Sequence, residues 1–121
     1  MYILVVDDDP DLALLMSLFL RKHGHEVGTA KDGLEALDRV RERVPEMVVL
    51  DWNMPRLDGV GLARALRGEL GLATLPLLMV TALPDHTEPL AAGVDRVIAK
   101  PFTSATLLGA VEELAGAAPA A

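Results

Sequence analysis

The stretch MVVLDWNMP, residues 47–55, sets four apolar residues before a single carboxylate, Asp51. Met47 to Leu50 form a short, continuously apolar run, the pattern of a strand covered on both faces. One acidic residue after such a run is explained by an ordinary cap or turn. The other apolar runs, however, finish on polar groups as well. YILVV (2–6) runs into Asp7, Asp8 and Asp9, and LPLLMV (75–80) ends on Thr81. VDRVIA (94–99), whose mixed pattern suits an edge strand, ends on Lys100 and Pro101. EVGTA (26–30) supplies one more strand.

Helical patterns fill the intervals. In DPDLALLMSLFLRKHG (9–24), Asp9 suits the N-cap and Pro10 the first turn, and Gly24 suits the stop. Leu12, Leu15, Met16, Phe19 and Leu20 are expected to share its buried stripe. A second helix near 32–43 carries Leu34, Leu37 and Val40, and Pro45 lies beyond its end. The turn LDG (57–59) opens a third, with Leu62, Ala63, Leu66 and Leu70. The last helix, 104–115, shows Leu107, Leu108, Val111 and Leu114. LPDHTEPLAAG (83–93) holds Pro84 and Pro89, so any helix there should be brief or distorted. Five strands alternating with helices predict an α/β fold, a parallel sheet wound on both faces. The expected domain is 1–115, followed by a frayed small-residue tail, 116–121.

Composition narrows the function. The 121 residues suit one core, and about half are apolar. A net charge of −7 repels phosphate backbones, so direct nucleic-acid binding by this chain is not expected. The absence of cysteine removes thiolate catalysis and cysteine-ligated zinc. No apolar stretch approaches about 18 residues and no basic segment opens the chain, which predicts a cytoplasmic protein that does not span a membrane. GVGLARALRG (59–68) lacks the third glycine of a dinucleotide fingerprint, and no P-loop is present. His23, His25 and His86 have no clustered partner for metal binding, and His23 reads as a charge near a helix C-terminus.

In a parallel α/β sheet, ligands lie beyond the carboxyl ends of the strands. Asp7, Asp8, Asp51, Thr81 and Lys100 should therefore meet at one edge. Two carboxylates 4 Å apart repel by about 4 kcal/mol at an effective dielectric near 20. Three at one site call for a cation or a retained proton. Oxygen donors favour a hard ion, Mg²⁺ above all where phosphate chemistry is involved. With an ammonium and a hydroxyl beside it, such a site suits transfer of a phosphoryl group to Asp51 as nucleophile.

ILVVDDD (3–9), VVLDWNMPRLDG (48–59), VTA (80–82) and IAKPFTSATLL (98–108) together resemble the response-regulator receiver domain of bacterial two-component signalling. The resemblance covers almost the whole chain and implies a flavodoxin-like strand order, 2-1-3-4-5. It implies Asp51 as phospho-acceptor, Asp7 and Asp8 as the Mg²⁺-holding acidic pair, and the Asn53 backbone carbonyl as a further metal ligand. Thr81 and Lys100 would contact the phosphoryl group, and the Lys100–Pro101 bond would be cis. A histidine kinase or phosphotransfer protein would be the donor, and a downstream target protein the reader. The chain would be a monomer or a phosphorylation-dependent dimer. It would not be an enzyme beyond Mg²⁺-dependent self-phosphorylation and autodephosphorylation.

Two positions depart from that pattern. Val97 stands three residues before Lys100, where the family usually has Tyr or Phe. The segment from Thr81 to Lys100 is also short, which directs attention to Pro84, Pro89, Val97 and Pro101 as the switch and partner surface. Two rivals follow. One is a pseudo-receiver, a binding module not controlled by phosphorylation. The other is a small aspartyl phosphatase, which Asn53 disfavours because it stands where a second acid would be needed.

Overall fold

A computed structural model of the chain describes residues 1–117. The strands are β1 (Tyr2–Val6), β2 (Glu26–Ala30), β3 (Met47–Asp51), β4 (Leu77–Thr81) and β5 (Arg96–Ala99). The helices are α1 (Pro10–Lys22), α2 (Gly33–Glu42), α3 (Gly59–Arg67), α4 (Thr87–Ala91) and α5 (Ser104–Ala117). The strands form one sheet in the order β2-β1-β3-β4-β5, and every neighbouring pair is parallel. Parallel neighbours require crossovers, and each interval supplies a helix for that purpose.

Alternation along the strands sorts the core into two layers. Leu4, Val6, Val48, Leu50, Leu77 and Met79 face α2 and α3 with Leu37, Val40, Leu62 and Leu66. Ile3, Val5, Met47, Val49, Leu78 and Val80 face α1 and α5 with Met16, Leu20, Leu107 and Val111. Being covered on both faces is why β1, β3 and β4 read as unbroken apolar runs. Asp9, Asp32 and Asp58 cap α1, α2 and α3 through backbone N–H groups, and Gly24 follows α1 at φ 87°.

Several expectations need correction. β4 begins at Leu77 and β5 at Arg96, each two residues later than the apolar runs that start at 75 and 94. The reason is local competition for backbone groups: the Leu77 N–H donates to the Asp95 carboxylate, and the Leu75 carbonyl accepts from Arg67. The inward stripe of α1 is Ala13, Met16, Ser17 and Leu20, which leaves Leu15 exposed at 44%. Leu34, expected inside, is likewise exposed. α5 continues to Ala117, past the expected boundary at 115, and the rest of the expected tail lies outside the described residues. α4 is brief, as its prolines predict. Pro89 sits in its first turn, where a missing N–H costs little, and is buried. Among the described residues, no helix is long and apolar enough to cross a membrane.

Candidate functional site

Strand register assembles the site. Val6 is paired with both Ala30 and Leu50, so Asp7 and Asp51 emerge side by side one step beyond that row. Asp51 pairs with Val80, and Thr81 with Ala99, which carries the row across to Lys100. Asp7, Asp8 and Asp51 each bring a carboxylate oxygen within 4.8 Å of the others. Lys100 reaches in from the β5 end, with Nζ 3.1 Å from Asp51 Oδ1 and 3.9 Å from Asp7 Oδ2. The Lys100–Pro101 peptide bond is cis, and Pro101 is exposed.

The charges do not balance. Three carboxylates share one ammonium, and Asp7 and Asp51 are both buried. Burial pushes the Asp7 carboxyl up to about 6, opposed by the Asp9 backbone N–H and reinforced by Asp51. Burial also raises Asp51, with the Lys100 hydrogen bond pulling the other way. Asp7 Oδ1 accepts from the Asp9 N–H at 2.9 Å, whereas its buried Oδ2 has no hydrogen-bond partner. An unpartnered buried carboxylate oxygen inside a net-negative, all-oxygen donor set fits a hard divalent cation. Asp8 is exposed, so solvent screens its repulsion far more than the sequence argument assumed. Asn53 is exposed too, and among the described residues nothing donates a hydrogen bond to its backbone carbonyl.

Thr81 stands at the expected strand end and is buried, but its Oγ1 accepts from the Leu83 N–H at 3.1 Å. Its oxygen is thereby tied to the β4–α4 loop. Val97 is half-buried and packs against the core layer that faces α2 and α3. Pro84 is exposed. None of the histidines joins the acidic cluster.

Three contributors escaped the sequence reading. A Cβ on Gly59 would lie 2.2 Å from the Asp51 carbonyl oxygen, so only glycine lets α3 begin this close to β3. The turn signal LDG marked a helix start without revealing that approach. Arg56 adopts φ 67° in the loop after β3, a left-handed conformation that costs a side-chain-bearing residue about 1–2 kcal/mol. Its guanidinium pairs with Asp32, which is buried while capping α2. Neither partner carried a sequence signal, because they are 24 residues apart.

The sequence profile of the response regulator receiver domain matches residues 3–112. The transcriptional regulatory protein PrrA of Mycobacterium tuberculosis is 42% identical over 113 residues, covering 93% of this chain and 48% of that protein. The phosphate regulon transcriptional regulatory protein PhoB of Rhizobium meliloti is 36% identical over 115 residues, covering 93% and 51%. The chain thus spans about half the length of the curated relatives it matches. Among solved structures, a putative response regulator from Chloroflexus aurantiacus superposes with a TM-score of 0.90 at 34% identity, covering 95% of this chain and 97% of the other. The chemotaxis response regulator CheY4 of Vibrio cholerae gives 0.89 at 31%, covering 93% and 97%. Sequence profile, relatives and backbone agree over nearly the whole described chain, which belongs to the response regulator receiver domain family.

Proposed function

We propose that this chain is a phosphorylation-dependent signalling receiver that takes a phosphoryl group onto Asp51 from a phosphohistidine. The donor is a histidine kinase or phosphotransfer protein. The carrying observation is the buried Asp51 carboxylate, held by Lys100 beside an Asp7 oxygen that has no hydrogen-bond partner among the described residues. Asp7, Asp8, Asp51 and the Asn53 carbonyl would hold Mg²⁺. When bound, that ion neutralises charge on the phosphoryl oxygens.

In the transfer, an Asp51 oxygen supplies the electron pair of the new P–O bond. The P–N bond of the donor breaks and its pair stays on the imidazole nitrogen. Lys100 keeps Asp51 ionised in the resting site and moves onto a phosphoryl oxygen as negative charge arrives there. The Thr81 hydroxyl donates to another. No separate base is required, because the nucleophile is already a carboxylate. The chain's own chemistry ends with gain and hydrolytic loss of this group.

Because Thr81 Oγ1 also accepts from Leu83, its reorientation pulls on residues 82–93. Val97 is stiff at χ1 and too small to carry the signal by rotating as an aromatic ring would. The far end of the segment is fixed, since the Gly93 carbonyl accepts from Arg67 at 2.8 Å. The segment 82–93 would form part of the surface read by a downstream target. The net charge of −7 supports protein contacts over nucleic acid for this chain, in the cytoplasm. DNA binding belongs to its longer relatives by name, including the DNA-binding response regulator MtrA of Mycolicibacterium smegmatis.

Acetyl phosphate with Mg²⁺, followed by intact mass, tests the reading. One phosphoryl increment is expected, lost in EDTA and in Asp51→Asn. Hydrogen exchange with beryllofluoride should show altered protection across 82–93. Wild-type protein that stays unmodified while a control receiver is labelled would establish the pseudo-receiver instead.

A further inference from the structure

The loop between β3 and α3 follows Asp51 and carries Asn53 two residues on, and Asn53 itself is exposed. Two sets of bonds hold the loop. Across its base the Gly59 N–H donates to the Trp52 carbonyl at 2.8 Å. Further along, at Arg56 and Leu57, the loop is fastened to the start of α2. Arg56 Nε donates to Asp32 Oδ2 at 2.9 Å, a second guanidinium nitrogen joins it, and the Gly33 N–H donates to the Leu57 carbonyl at 3.0 Å. The fit at this junction is close, since a Cβ on Gly33 would meet the Leu57 carbonyl oxygen at 2.5 Å.

The end of β2, two residues before Asp32, is in turn fixed to the acidic edge, because the Asp7 N–H donates to the Ala30 carbonyl at 3.1 Å. A cleft of about 440 Å³, lined by Asp8, Lys31, Asp32, Pro55 and Arg56, opens between these attachments. Arg56 spends its charge on Asp32 and not on the acidic cluster. Its left-handed backbone is also an unusual conformation for arginine, maintained by surrounding contacts.

We propose that Asp32 and Arg56 are a positioning pair that sets the Mg²⁺ affinity of the site by holding the β3–α3 loop, and with it the Asn53 carbonyl, at the acidic edge. The inference rests on the metal-binding reading given above. Neither residue touches the ion; both act through the backbone, as outer groups that orient ligands do. The pair is separable from helix capping. Asparagine caps as well as aspartate, so Asp32→Asn removes the charge and keeps the bond to Glu35.

The test is a Mg²⁺ titration of the full chain followed by Trp52 fluorescence and by calorimetry, with thermal melting in EDTA as the structural control. Arg56→Ala and Asp32→Asn should each weaken Mg²⁺ binding by about tenfold, the range of outer-group substitutions. The double variant should be no weaker than either single one, because the two act as a unit. Arg56→Lys should recover part of the loss, since an ammonium keeps the charge without the planar fork. Mg²⁺ affinity in Arg56→Ala within about twofold of wild type overturns the proposal, even if the melting temperature falls. Losses that add in the double variant overturn it as well. Wild-type protein that binds no Mg²⁺ defeats the underlying site reading, an outcome distinct from binding that ignores Arg56.

Discussion

The two edges of the sheet treat charge in opposite ways. At the amino edge, every charged group that bridges elements is well supplied with partners. Arg67 donates to the carbonyls of Leu72, Leu75 and Gly93 and to Asp95, and Asp95 in turn accepts from the Leu77 N–H. Glu26 pairs with Arg43, whose guanidinium also lies 4.0 Å from the Tyr2 ring centre. Glu46 accepts from the Tyr2 N–H at 3.0 Å. At the carboxyl edge, three carboxylates divide one lysine and a buried oxygen goes unpartnered. The first edge uses polar groups to close the fold. The second leaves them under-satisfied, which costs stability.

The sharpest way to break this contrast is to remove Arg67, which is only 18% exposed. Arg67→Ala strands the part-buried carbonyls of Leu72, Leu75 and Gly93 and should cost about 3–5 kcal/mol in urea unfolding. Arg67→Lys should restore less than half of that, because one ammonium cannot span the same acceptors. A loss near that of an ordinary surface substitution would show that water replaces the guanidinium, and the amino edge would not be the tighter one.

Lys100→Met probes the other edge. Without the ammonium, Asp7 and Asp51 lose the one cation that pairs with them among the described residues, and the metal-free protein should lose about 1–3 kcal/mol at pH 7. At pH 5 the cost should shrink, since Asp7, pushed up to about 6 by burial, takes up a proton there. Equal losses at the two pH values would mean that pairing with these carboxylates is not the source of the effect.

A smaller effect comes from Asp7 alone. Its folded-state value near 6 lies above the ordinary 3.8, so the folded chain binds this proton more tightly than the unfolded chain. Its contribution is fully present below about pH 4 and is lost as pH rises through about 6. The upper bound is about 3 kcal/mol at 1.4 kcal/mol per pKa unit. Metal-free Asp7→Asn should therefore lack the fall in stability seen for wild type between pH 4 and 6. A parallel pH curve for the two proteins would place the proton elsewhere.

Asp8→Ala should have the least effect on folding. Exposed as it is, the substitution should change metal-free stability by no more than about 0.5 kcal/mol while reducing Mg²⁺ affinity by tenfold or more. A large gain in stability would restore the unscreened repulsion that the sequence alone suggested.

The sequence by itself determined the alternation of strands and helices, the cap at Asp9, the brief fourth helix, and the meeting of Asp7, Asp51, Thr81 and Lys100 at one edge. These features are legible because periodicity, caps and strand ends are local, and a parallel sheet sends every strand's end to the same edge. Only the tertiary structure decided that Leu15 and Leu34 face solvent, that Pro89 is covered, and that Asp8 is exposed while Asp7 is buried. It alone joined Asp32 to Arg56 across 24 residues and Arg67 to Gly93 across 26. Such pairings depend on which helix lies beside which loop once the sheet has its order. No spacing along the chain encodes that order, because it is set by the packing of both faces at once.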